Sequence, residues 1–121
     1  MQMTEVTYAD AIPIDSYGPG FFRIGGEVIT GGAIIHAKGA HSWSGYEDVN
    51  SVLALKEEVD FILMGTGANM TPVQSVFRQA LEAAGIGIEA MASPTACRTY
   101  NVLVSEGRRV AAVLLPVPEE S

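Results

Sequence analysis

Val59-Asp-Phe-Ile-Leu-Met-Gly-Thr-Gly67 decides the fold class, because an apolar run that stops at a pair of glycines is the pattern of a strand buried on both faces. Just downstream, Thr71-Pro72 carries the signal of a helix N-cap with proline in the first turn. Val73, Val76, Phe77, Ala80, Leu81 and Ala84 then recur on one helical stripe that ends at Gly85. Ile86-Gly-Ile-Glu-Ala-Met91 supplies the next strand. Ser93-Pro94 repeats the cap-plus-proline signal for a second helix running to about Glu106, with Ala96, Tyr100, Leu103 and Val104 on its apolar face. Gly107 stops that helix, and Arg108-Arg-Val-Ala-Ala-Val-Leu-Leu115 is a last buried strand ended by Pro116 and Pro118. Strands alternating with helices predict an α/β sheet covered on both faces, with a right-handed crossover as its first helical connection. The spacing leaves the direction of the final strand open.

Working outward, Phe21-Phe-Arg-Ile24 and Glu27-Val-Ile-Thr30 flank Gly25-Gly26, the pair that lets a two-residue hairpin turn take positive φ. Gly31-Gly32 permits another turn before Ala33-Ile-Ile-His-Ala37, a third short strand that breaks at Lys38-Gly39. His41, Ser42 and Trp43 are then expected in a loop, with Trp43 as its packing anchor. Val49, Val52 and Leu53 mark a short helix with Glu47 and Asp48 at its positive end. Residues 1–19, with Pro13, Gly18 and Pro19, are expected to form an irregular arm anchored by Ile12 and Ile14. Residues 20–116 make a single α/β domain and 117–121 a tail.

The 121 residues suit one domain, and 48% apolar with 17% charged residues is the composition of a folded chain. Fourteen acidic residues against seven basic give a net charge of -7, so nucleic acids and anionic membranes meet repulsion. The longest apolar run, Val110 to Leu115, is far too short for a membrane span. An N-terminus without a secretory or transit pattern sets the expectation of a cytoplasmic protein. Cys97 is a lone cysteine, and His36 and His41 lack a third ligand, so no metal site is expected. Glu57, Glu58 and Asp60 read as a solvated acidic rim.

The candidate site lies where both helices begin at the C-terminal ends of neighbouring parallel strands, a common ligand crevice of α/β proteins. Gly65, Thr66 and Gly67 at one junction and Ser93, Thr95, Cys97, Arg98 and Asn101 at the other would converge on a small anion, aided by two helix N-termini. Each residue also has a structural reading. The glycines permit a tight turn, Ser93 caps a helix, Cys97 is a buried small hydrophobe, Arg98 and Asn101 tie down loops, and Tyr100 packs in the core. Gly65-Thr-Gly67 lacks the third glycine of a dinucleotide fingerprint and no phosphate loop occurs, so no cofactor is expected.

Four segments carry a resemblance: Ile62-Leu-Met-Gly-Thr-Gly67, Gly85-Ile-Gly-Ile-Glu89, Thr95-Ala-Cys-Arg-Thr-Tyr-Asn101 and Glu106-Gly-Arg-Arg-Val-Ala-Ala112. Together they resemble, over roughly residues 20 to 116, a family of small single-domain proteins of unknown biochemical activity that includes the mitochondrial respiratory complex I assembly factor 3. The resemblance implies a compact bacterial member with a three-layer α/β fold around a mixed sheet whose last strand runs antiparallel to its neighbours. It transfers no catalytic residue. Three functions follow as expectations. They are a non-enzymatic binding or assembly module working by protein contact, a small-molecule anion site or enzyme at the strand ends, and a homo-oligomer joined through the exposed edge of the N-terminal hairpin.

Overall fold

The computed structural model describes residues 12–118. Residues 1–11 of the arm expected at 1–19 and residues 119–121 of the tail expected at 117–121 lie outside the described residues. Two sheets form. The smaller contains β1 (Ile14–Gly18), β2 (Phe21–Ile24) and β3 (Glu27–Thr30), all antiparallel. The larger has the order β5-β4-β8-β6-β7, built from β4 (Gly32–His36), β5 (Gly39–Trp43), β6 (Phe61–Thr66), β7 (Gly87–Met91) and β8 (Val110–Leu115). Its helices are α1 (Val49–Leu53), α2 (Ser75–Ala83) and α3 (Ser93–Ser105).

The large sheet is mixed, and its central strands alternate inward residues to both faces, as the apolar runs require. Ala33, Ile35, Leu63, Ala112 and Leu114 face a core completed by Ala96, Cys97, Tyr100 and Val104 of α3 and by Ile14, Phe22 and Ile24 of the small sheet. Ile34, Ile62, Met64, Ala111 and Val113 face the opposite core, with Val52 of α1, Phe77 and Leu81 of α2, and Trp43. Trp43 is the expected anchor: its indole N–H donates to the Asp48 carbonyl at 2.9 Å, and its ring packs against Tyr46 and Phe77. Helical and small-sheet layers on one side, α1 and α2 on the other, and the sheet between them give the three-layer α/β fold.

Several expectations change. The last strand is antiparallel to β4 but parallel to β6, because α3 carries the chain back across the sheet to re-enter in the direction of β6 and β7. Residues 14–18 are not irregular. They form β1, whose backbone pairs with β2 although only Ile14 is buried along it. The segment expected as a loop after Lys38 is β5, in register with β4 from Gly32↔Trp43 to His36↔Gly39.

Thr71-Pro72 does not start α2, which begins at Ser75 with Gln74 as its N-cap and no side-chain cap bond. Ser93 is the first residue of α3 and Ala92 its cap, so proline lies in the first turn as expected but serine does another task. Gly25 and Gly26 have φ of +58° and +86°, the positive pair the hairpin needs.

Candidate functional site

Strands β6 and β7 are adjacent and parallel, which places Gly65-Thr66-Gly67 beside the start of α3. The geometry there is a closed hydrogen-bonded joint. Gly67 N–H donates to Ser93 Oγ at 3.0 Å, while Ser93 N–H donates to the Gly67 carbonyl at 2.8 Å. The Ser93 hydroxyl in turn donates to the Leu115 carbonyl at 2.6 Å, and Ser93 is wholly buried. One side chain thereby joins the ends of β6 and β8 to the first turn of α3.

Gly65 makes that approach possible. A Cβ on it would lie 2.7 Å from Ser93 Oγ and 2.8 Å from Leu114 Cδ2. Thr66 is also buried: its hydroxyl donates to the Asn69 carbonyl at 2.7 Å, with the Met91 carbonyl 3.2 Å away, and accepts from Thr71 N–H at 3.0 Å. This bond accounts for Thr71, whose amide closes the β6–α2 loop instead of opening a helix.

The remaining candidates separate along α3. Thr95 and Arg98 are exposed near its start, with Arg98 Nη2 3.5 Å from Thr95 Oγ1. Cys97 turns inward, and burial pushes its thiol up to about 11, against a smaller downward pull from Arg98. Asn101 faces the small sheet: its Oδ1 accepts from Ile14 N–H and its Nδ2 donates to the Ile14 carbonyl, both at 2.9 Å. The structure thus brings Gly65, Thr66, Gly67 and Ser93 into one joint and sends Asn101 elsewhere. Tyr100 is fully buried and burial raises its phenol above the ordinary range.

At the opposite end of the sheet lies a cleft of about 640 Å³ between the β4–β5 turn, the segment entering β6, and the turn from α3 into β8. Lys38, Arg108 and Arg109 stand around it with Glu58 and Glu106, over walls that include Val59, Val104 and Val110. Lys38 Nζ is 2.8 Å from Glu58 Oε1, and this hydrogen bond and charge hold the Glu58 carboxyl below its usual range. Sequence reading passed over this place. Its one local signal is the Arg108-Arg109 pair after Gly107; the rest comes from segments far apart in the chain.

A family model described as "Protein of unknown function (DUF498/DUF598)" matches residues 14–115. The chain belongs to the DUF498/DUF598 family. Among similar proteins, an uncharacterized protein of Rhodobacter capsulatus is 48% identical over 118 residues, covering 98% of this chain and 95% of its own length. Human NADH dehydrogenase [ubiquinone] 1 alpha subcomplex assembly factor 3 is 31% identical over 117 residues, covering 91% of this chain. The chain spans 64% of that human protein. A crystal structure described as an outer membrane protein from Bartonella henselae superposes with a TM-score of 0.79 at 33% identity, covering 88% of this chain and 95% of that one. In the DUF498/DUF598 chain itself, no helix among the described residues is long and apolar enough to cross a membrane.

Proposed function

We propose that this member of the DUF498/DUF598 family is a non-enzymatic binding module that assists assembly of a respiratory complex by protein contact, from the cytoplasmic side of the membrane. The observation that carries this reading is the 31% identity to the human assembly factor across 91% of the chain, nearly the whole α/β domain. The strand-end chemistry supports it. Thr66 and Ser93 spend their hydroxyls on backbone groups, Asn101 spends its amide on Ile14, and Cys97 is held as a thiol inside the core. Each of these side chains has a task in holding the fold, which leaves the surface to do the recognising.

Affinity capture of the tagged chain from its native cells, after mild cross-linking, tests the reading. Subunits of the NADH dehydrogenase complex are expected to be enriched over a capture with an unrelated acidic protein carrying the same tag. Equal recovery in both captures counts against it.

A further inference from the structure

We propose that the cleft at the α3–β8 turn is a binding site for a small amphipathic carboxylate, a molecule with an aliphatic body and one anionic end. This goes beyond the assembly reading and does not depend on it. The volume of about 640 Å³ falls in the range of roughly 300–1,000 Å³ that small-molecule sites occupy. Its lining offers apolar contact to an aliphatic body: Val59 at the edge of one core, and Val104 and Val110 at the edge of the other, all line the cleft.

The charge pattern selects the sign of the head. The whole chain carries seven basic residues and a net charge of -7, yet Lys38, Arg108 and Arg109 gather around this one opening. Two of them are already engaged. Lys38 pairs with Glu58 at 2.8 Å, and Arg109 is held by Asp60 at 3.3 Å and by the Glu57 carbonyl at 3.1 Å. Arg108 differs. Its guanidinium lies 5.4 Å from the centre of the Phe61 ring, and among the described residues no carboxylate stands within ion-pair distance of it.

A guanidinium laid on an aromatic face is fixed in place while its N–H fork stays open to a planar carboxylate. Gly107, at φ +82°, turns the chain out of α3 and sets Arg108 at this rim. His36 adds a neutral, half-buried wall, since burial lowers its pKa. Arg108 is the cation of this lining with no carboxylate partner among the described residues, so the anionic head belongs there, against the opposing charge of Glu106 and the C-terminal end of α3.

The experiment is an amide-shift NMR titration of the full chain with sodium decanoate, kept below its micelle concentration, beside decyltrimethylammonium as the cation of equal chain length. Decanoate is expected to give saturable shifts at Lys38, Val59, Ser105 and Val110, and octanoate to bind roughly tenfold more weakly through two lost methylenes. Arg108→Met, at an exposed position that keeps the apolar stem, should weaken decanoate by about tenfold or more. Arg23→Met, on β2 and away from the cleft, should leave it unchanged. Absence of saturable shifts, shifts centred elsewhere, equal binding of the cation, or an Arg108→Met affinity matching the parent would each overturn the proposal.

Discussion

Replacing Ser93 by alanine removes one oxygen, and the structure says where the loss falls. Ser93 Oγ accepts from Gly67 N–H at 3.0 Å and donates to the Leu115 carbonyl at 2.6 Å, with the residue wholly buried. Alanine keeps the Cβ and the helix but strips a buried amide of its acceptor, which costs about 1–3 kcal/mol, and forfeits a second bond worth about 1 kcal/mol. The total is about 2–4 kcal/mol, equivalent to a fall in Tm on the order of 10 °C for a domain of this size. Urea unfolding of the parent and of Ser93→Ala gives the difference directly, with Thr95→Ala as the exposed neighbour expected to change by less than about 0.5 kcal/mol. A Ser93→Ala loss no larger than that of Thr95→Ala would refute the idea that this hydroxyl joins β6, α3 and β8. It would return Ser93 to the role of a group held ready for a ligand.

Two further outcomes follow from the same side chains. Asn101→Ala breaks the paired bonds to Ile14, a link across 87 residues of sequence, and should cost about 1–3 kcal/mol. Hydrogen exchange is expected to speed up at Ile14 while β6 stays protected; unchanged protection at Ile14 would contradict the clamp. Cys97, with its thiol raised by burial from 9.0 to about 11, stays protonated in the folded chain where the unfolded chain has begun to ionise. Its contribution to stability is therefore complete below pH 9 and is lost as pH climbs towards about 11. Iodoacetamide alkylation of the native protein should show a midpoint above that of the urea-unfolded chain, and a native midpoint at or below 9 would contradict burial of the thiol.

Segments whose apolar pattern faces a core were legible. Ile62 to Met64 and Val110 to Leu114 are buried continuously, as their apolar runs predict for a central and a final buried strand, and the Gly25-Gly26 hairpin follows from its turn chemistry. What escaped the sequence depends on partners far along the chain. β1 holds Asp15, Ser16 and Gly18, poor strand formers, and exists through pairing with β2 and the grip of Asn101 on Ile14. β5 buries only Trp43, so no alternation announces it.

At the strand ends the sequence is ambiguous, since a serine before proline looks the same whether it caps a helix or plugs a sheet. The bonds of Ser93 Oγ to Gly67 and Leu115, with Ala92 as the cap, separate the two uses. The Arg108 cleft was hidden because its parts come from three separate turns, and the two arginines read simply as the polar start of a strand.

The assembly role is tested most directly by deleting the gene in its native organism and measuring intact NADH dehydrogenase complex by native gel with in-gel activity. Loss of the full-size complex with accumulation of subcomplexes is expected, reversed by supplying this chain. Full-size complex at parental level in the deletion strain would contradict it.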